Sequence, residues 1–114
     1  MNARTPAPPP VFVIPFRTED VATDLFGTVT VSELSSRKLE ALHALIPKDD
    51  DASPEDKSRF AYRLLCEAAR GENGERFTLE VLDDLPTRAF TDVAKLVRVA
   101  VRLNGMDREA VEKA

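Results

Sequence analysis

The segment TVTVSELSSRKLEALHALIP, residues 28–47, contains the change of period that decides the fold. Its first part, Thr28 to Glu33, places β-branched side chains at every second position, which is the pattern of a half-buried strand. Beyond it the apolar residues recur at helical spacing, at Leu39, Leu42, Leu45 and Ile46. Ser35 is suited to cap this helix, and Pro47 ends it because the residue before a proline avoids the helical region. The segment therefore predicts a strand followed by a first helix over residues 36–46.

Upstream of this segment, a second apolar run offers a partner for the strand. Val11 to Phe16 (VFVIPF) is rich in β-branched residues, and its Pro15 confines it to an edge or to the end of a strand. We expect it to pair with residues 28–33 in an antiparallel hairpin. The acidic stretch Thr18 to Asp24 would form the connecting loop, with the turn near Gly27.

The N-terminus is dominated by proline, with five of the eight prolines in the first fifteen residues. Proline has a fixed φ and no backbone donor, so such a segment avoids helix and favours polyproline conformations. We therefore expect residues 1–10 to form a disordered Pro-rich tail. A docking arm is the alternative interpretation.

Downstream, capping signals mark a second helix. The run Ser53-Pro54-Glu55-Asp56 supplies a capping hydroxyl, a proline at the first helical position and two carboxylates near the positive helix end. We expect this helix to run to about Arg70 and to stop at Gly71, with Asn73-Gly74 forming the turn.

Two further helices complete the expected architecture. Phe77 to Asp84 predicts a short helix with Thr78 as its N-cap, and Pro86 would open the longest helix. That helix would run to Leu103 or Asn104 and stop at Asn104-Gly105, with Met106 in the apolar contact that often follows such a cap and a last turn from Asp107 to Lys113. The prediction is a mainly α fold of three to five helices with a small N-terminal β-hairpin. It comprises a tail at 1–10 and a single domain at 11–114, with the hairpin in 11–34 and helices in 35–114.

Composition excludes several functional classes. The chain has 114 residues, 43% of them apolar, which is enough for a core without disulfides or a structural metal. With one cysteine (Cys66) and one histidine (His43), it lacks the ligands of a zinc site or an iron–sulfur centre. The acidic runs Asp49-Asp50-Asp51 and Asp83-Asp84 lack the spaced ligands of a calcium loop. We interpret His43 as a helix-flank residue and Cys66 as a small hydrophobe, and we expect no catalytic activity, metal or cofactor.

Hydropathy predicts a cytoplasmic protein that does not enter the membrane. No apolar run approaches the roughly 18 to 20 residues that span a bilayer, and the first ten residues lack the apolar stretch of a signal peptide.

The two long helices carry more apolar surface than a helix on the outside of a small domain needs. The second helix has one broad apolar face and a second stripe beside it. In the last helix, Phe90 shares a similarly wide face with Val93, Val97 and Val101, whereas Val99 lies within the basic side. This surface either packs within the protein's own core or is partly buried against another chain. Our candidates for the residues divided between core and partner or oligomer interface are Tyr62, Cys66, Phe90, Val93, Val97 and Val101.

Charge is unevenly distributed along the chain. Residues 46–84 carry six basic and eleven acidic side chains, a net charge of −5, whereas residues 85–114 carry six and four, a net charge of +2. Unlike surfaces of this kind suit head-to-tail self-association into a ring or spiral, although solvated faces would look the same. The last helix has a basic face formed by Arg88, Lys95, Arg98 and Arg102. With a net charge of −4 and no interleaved aromatic residues, we do not expect nucleic acid as a partner.

The order of these motifs resembles the tail assembly chaperones of long-tailed phages and prophages. Three stretches carry the resemblance: TVTVSELSSRKLEAL (28–42), LLCEAARGENGERFTLEVLDDL (64–85) and FTDVAKLVRVAVRLNGMDREAVEKA (90–114). Members commonly have a strand of the form V-x-V-x-E-L before a polar helix start, a glycine turn before Phe-Thr or Phe-Ser, and a closing helix that ends in L-N-G. Here these elements are Val29-Val31-Glu33-Leu34 with Ser35, Asn73-Gly74 before Phe77-Thr78, and Leu103-Asn104-Gly105. The Pro-rich tail lies outside the pattern, and Glu72-Asn73-Gly74 stands where an Asp is frequent.

The resemblance implies a non-catalytic chaperone that binds and solubilises the tape measure protein, the long apolar helical chain that sets tail length. Many copies would coat this client in the host cytoplasm until tail tube protein polymerises around it and displaces them, so that the chaperone is absent from the mature virion. It also implies a longer form made by ribosomal frameshifting, for which an A-rich run encoding Glu112-Lys113 would be suited. Two alternatives remain: a small helical DNA-associated regulator that uses the basic face, and a structural neck or tail-completion subunit.

Overall fold

A computed structural model describes residues 6–46 and 54–105. Within these ranges the chain forms four α-helices and a small three-stranded antiparallel sheet, which confirms the expected combination of helices with antiparallel strands. In chain order, the elements are β1 (Thr18–Ala22), β2 (Thr28–Ser32), α1 (Ser36–His43), α2 (Pro54–Ala68), β3 (Ala69–Arg70), α3 (Leu79–Asp83), a 3-10 turn (Thr87–Ala89) and α4 (Phe90–Leu103).

The sheet has the order β1-β2-β3 and centres on β2. Val29 and Val31 of β2 are almost completely buried, while Thr28 and Thr30, which alternate with them, are half-buried on the other face. This is the two-residue alternation expected of residues 28–33. Val21 of β1 lies opposite Val29 and is buried beside it.

The first strand of the hairpin lies further along the chain than we predicted. It is the acidic stretch Thr18–Ala22, and not Val11 to Phe16, that pairs with β2. The charged side chains are tolerated because β1 is an edge strand and because both have partners. Asp20 accepts a hydrogen bond from the hydroxyl of Thr30 opposite it, and Glu19 forms an ion pair with Arg102 of α4.

The third strand was not predicted. We expected the second helix to continue to about Arg70, but α2 ends at Ala68 and Ala69–Arg70 pair with Thr30 and Val31 of β2. A backbone pairing with a strand nearly 40 residues away in the chain leaves no trace in local periodicity. The predicted turn at Asn73-Gly74 is confirmed, with Gly74 in the left-handed region at φ 81°.

Local signals at the short helices are confirmed. Ser35 caps α1 by accepting a hydrogen bond from the Lys38 amide, and Thr78 caps α3 in the same way from the Val81 amide. The first helix ends at His43, three residues earlier than predicted, because residues 45 and 46 bond back three residues in the tighter 3-10 manner. The predicted cap at Ser53 lies outside the described residues.

The last helix differs from the prediction at its start. Pro86 precedes a 3-10 turn, and the α-helix begins only at Phe90. With 14 residues, α4 is one residue shorter than α2, so it is not the longest helix. Its end is as expected, since Gly105 is left-handed at φ 66°. The expected Met106 contact and the turn from Asp107 to Lys113 lie outside the described part of the chain.

The core lies where α4 packs against the sheet on one side and α2 on another. Its largest fully buried side chains come from β2, α2, α3 and α4, and they are Val29, Val31, Leu64, Leu65, Leu82 and Leu96.

Two polar side chains of α4 connect this helix to the β-hairpin and the loop that follows it. Asp92, in its first turn, accepts hydrogen bonds from the backbone amides of Asp24 and Leu25 at 3.2 and 2.9 Å. Asn104, at its C-terminus, accepts one from the Leu34 amide at 2.7 Å. Both ends of α4 are thereby held at defined positions along the sheet.

The chain before β1 belongs to no helix or strand in the described range 6–17, and its side chains are exposed. Residues 1–5 of the predicted tail lie outside the described residues, so the disorder of the tail stays a prediction.

Candidate functional site

A shallow apolar groove runs between α2 and α4. We call it the α2–α4 groove; it encloses about 250 Å³ and is lined by Ser58, Ala61, Tyr62, Phe90, Val93, Ala94 and Val97. Small side chains at positions 58, 61 and 94 keep the space between the helices open. Tyr62 and Phe90 provide its aromatic walls.

The position of α4 determines how much of each lining residue reaches the solvent. Leu96 and Ala100 are fully buried on the side of α4 that faces the core, and this fixes the rotation of the helix. Val93 is only 5% exposed and forms the floor of the groove, whereas Phe90 is 51% exposed at its edge. Val97 is half-buried between them. An exposed aromatic residue beside a buried floor is typical of a surface that receives a partner's side chains.

The groove brings together four of the six residues predicted to be divided between core and interface. Tyr62, Phe90, Val93 and Val97 line it. Cys66 and Val101 do not, but they are half-buried one helical turn further along the same faces and pack against the core. The sequence analysis did not identify three small lining residues, Ser58, Ala61 and Ala94, because small side chains contribute little to an apolar pattern. The feature that marks them is that small residues of two helices face each other.

The groove differs from the neighbouring cavities in charge. None of its lining residues is ionisable at neutral pH, whereas four other cavities in the described structure each include at least two charged side chains. For example, the cavity between the hairpin turn and α3 is lined by Glu75 and Arg76 as well as by Phe77. An apolar partner that binds in the α2–α4 groove therefore does not have to remove water from a charged lining residue.

A second apolar surface is the N-terminal arm, which we define as residues 11–16. Its large side chains are strongly exposed, with Phe12 at 98% and Val13 at 84%. The groove and the arm both combine aromatic side chains with exposed apolar surface and lack charged side chains.

The predicted basic face is divided by the fold. Lys95 donates a hydrogen bond to the carbonyl of Ala22 at 2.8 Å, and Arg102 holds both carboxylate oxygens of Glu19 at 2.8 Å. Arg88 and Arg98 are exposed and form no ion pair with the described residues. Two of the four cations therefore stabilise the contact between α4 and β1.

The remaining titratable groups have structural surroundings. His43 stacks on Phe60 with ring centroids 5.2 Å apart, and Arg59 forms an ion pair with Asp83 at 2.8 Å. Burial, followed by the neighbouring Glu67, raises the pKa of the Cys66 thiol, which keeps it protonated and a weak nucleophile near neutral pH. Hydrogen bonds from its own backbone amide and from that of Asn73 lower the pKa of Glu75.

The described residues contain no cluster of three metal-ligating side chains. None of the helices they form is long and apolar enough to cross a membrane. No protein-family model, curated protein or solved structure matches the chain. The site is thus an uncharged groove between two helices, with an apolar arm at the other end of the sheet.

Proposed function

We propose that the chain is a tail assembly chaperone of a long-tailed phage or prophage that binds the tape measure protein and keeps it soluble during tail assembly. The client is an apolar helical chain, and the α2–α4 groove is the surface on this chain that would receive it. The proposal has two supports: the order of motifs over residues 28–114, and a groove without charged lining residues.

The groove carries the proposal because its uncharged lining between two helices suits the apolar side chains of a ligand helix. Helix-in-groove recognition uses side chains of a ligand helix at positions i, i+3, i+4 and i+7, placed between two helices of the receptor. Phe90 and Tyr62 would contact such a ligand from the two sides, above the floor made by Val93. The half-buried Val97 extends the same surface by about two turns of α4 from Phe90.

The proposal requires a tape measure protein encoded in the same gene cluster, and co-expression with that protein tests it. The wild type should hold the client in the soluble fraction and co-purify with it. Ala94→Asp places a carboxylate at the exposed edge of the groove and should reduce the captured client by roughly tenfold or more, because binding would then bury a charge. Thr91→Asp is the matched control: it adds the same charge to the exposed side of α4 outside the groove, and should bind the client normally.

Failure of the wild type to solubilise or to capture the client would contradict the proposal. Equal binding by Ala94→Asp and Thr91→Asp would place the client on another surface.

Mass spectrometry of purified particles separates the chaperone from a structural neck or tail-completion subunit. A chaperone is displaced as the tube polymerises, so its peptides should be absent from mature virions. Stoichiometric amounts in the particle would favour the structural subunit.

A DNA-associated regulator is less well supported, because Lys95 and Arg102 are engaged with β1. Binding to DNA that weakens steeply with salt would favour it, since phosphate contacts release counterions.

A further inference from the structure

The N-terminal arm exposes an unusual amount of apolar surface. Five of its six side chains are large and apolar and are between 59 and 98% exposed: Val11, Phe12, Val13, Ile14 and Phe16. The two phenylalanines can bury roughly 150 Å² or more each, so the five side chains together offer several hundred Å², a large share of the about 800 Å² that one partner contributes to a standard protein interface. Within the described structure no hydrogen bond holds residues 6–16 to the body of the protein. A patch of this size marks a contact with another chain.

The arm leaves the body of the protein at Arg17, whose carbonyl accepts a hydrogen bond from the Glu33 amide at 2.8 Å. Pro15 restricts the backbone near the base of the arm, and the prolines at 8–10 favour an extended chain just before it.

Two contacts between β1 and α4 show from which end of β1 the arm leaves, relative to the groove. Lys95 contacts Ala22 at one end of β1, and Arg102 contacts Glu19 near the other, so α4 runs antiparallel to β1. The groove residues 90–97 therefore lie at the Ala22 end of the strand, whereas the arm leaves from the Thr18 end. A segment that leaves from the Thr18 end starts on the side of the molecule away from its own groove, which favours the groove of a neighbouring copy.

The chemistry of arm and groove is complementary. Residues 11–16 contain no ionisable side chain, and neither does the groove lining at neutral pH. Three of the other cavities would require the arm to cover charged groups, and the fourth, beside Lys38 and Glu67, is already lined by Phe16 at the base of the arm. We propose that the N-terminal arm of one copy docks into the α2–α4 groove of a second copy.

The arrangement is head to tail. Because arm and groove lie at opposite ends of β1, each copy that receives an arm still presents its own. Such heterologous contacts build open-ended spirals or, where the rotation closes, rings.

One consequence rests on the proposed function. The arm occupies the surface that the client helix uses, so the client displaces it. The arm then keeps the groove covered until the tape measure protein arrives.

Sedimentation velocity over a range of concentrations tests the arm contact with two full-length variants. The double substitution Phe12→Ser with Ile14→Ser removes the apolar side chains of the arm, and Ala94→Asp disables the groove. The wild type should form species larger than the 12.6 kDa chain, and each variant alone should associate at least about tenfold more weakly. Leu45→Ser, at a 58% exposed position outside both surfaces, is the control and should associate like the wild type.

Mixing the two variants gives the decisive result. One retains an intact groove and the other an intact arm, so together they should form a complex of twice the chain mass that grows no further. A wild type that stays monomeric at all concentrations, an arm variant that associates normally, or a mixture without a complex would overturn the proposal.

The client assay separates this proposal from the proposed function. The arm variant should capture the tape measure protein at least as well as the wild type, because its groove is open. Normal self-association without any capture of the client would reject the chaperone function and leave the arm contact standing.

Discussion

Asp92 links two parts of the molecule that lie far apart in the sequence. Its carboxylate is 5% exposed and accepts hydrogen bonds from the amides of Asp24 and Leu25, which are 68 and 67 residues away. The carboxylate also lies in the first turn of α4, where the helix dipole favours negative charge. Loss of this side chain would leave two backbone amides without their partner.

We predict that Asp92→Ala lowers the free energy of unfolding by about 2 to 3 kcal/mol, because two hydrogen bonds to a charged group at a largely buried position are lost. Urea denaturation followed by circular dichroism measures this change. Glu40→Ala is the control, since the Glu40 side chain is exposed and should change stability by less than about 0.5 kcal/mol. Equal effects of the two substitutions would contradict the role we assign to Asp92.

Residue-scale patterns were predictable where their partners lie within a few positions. The Ser35 and Thr78 caps and the left-handed glycines 74 and 105 are contacts within one helical turn or one tight turn, so local sequence specifies them. The role of Asp92 was not predictable, because an acidic residue near a helix start has a sufficient local explanation in the dipole.

At the scale of elements, two consecutive residues of α4 lie on either side of the boundary between the core and the α2–α4 groove. Leu96 is fully buried and Val97, the next residue, is half-buried at the groove. The wide apolar face of this helix therefore serves two purposes: its inner part completes the core, and its outer part forms one wall of the α2–α4 groove.

We predict that Val97→Asp keeps the helical circular dichroism signal but loses oligomers and client binding, with a stability loss of about 1 to 3 kcal/mol. Leu96→Asp should abolish folding, because it buries an unpaired charge in the core. Circular dichroism and sedimentation of the two variants check the pair of outcomes. Loss of helix content in Val97→Asp would assign this residue to the core.

The strands show why element positions were harder to predict than helix ends. Val11 to Phe16 has higher β-propensity than Thr18–Ala22, yet the latter pairs with β2. Propensity describes how well a residue fits a pleated surface, whereas pairing depends on the partners that the fold supplies. Here those partners are Thr30 for Asp20 and Arg102 for Glu19.

At the scale of the whole molecule, two forces could drive self-association. The acidic middle and the basic last part of the chain suggest charge pairing between copies, whereas the arm and the groove suggest apolar contact. Two of the four residues of the predicted basic face, Lys95 and Arg102, are engaged within the chain, which weakens the case for charge pairing between copies.

We predict that oligomers persist or strengthen between about 0.1 and about 1 M salt, a range in which the screening length falls from roughly 10 to 3 Å. Apolar contacts survive such screening, whereas pairing of exposed charges does not. Light scattering across a salt series measures the outcome. Dissociation at high salt would show that the charged surfaces, and not the arm, hold copies together.

The sequence alone determined the helical character of the chain and its caps and turns, because these depend on contacts within one turn. It also indicated the wide apolar faces of the two long helices, because these follow from the spacing of apolar residues. Only the tertiary structure decided which strand pairs with β2, that Ala69–Arg70 complete the sheet, and which part of each apolar face stays open. These outcomes depend on groups that lie tens of residues apart and meet only when the chain is folded. The exposure of the arm has the same origin: its hydrophobicity is visible in the sequence, but its separation from the core is a property of the fold.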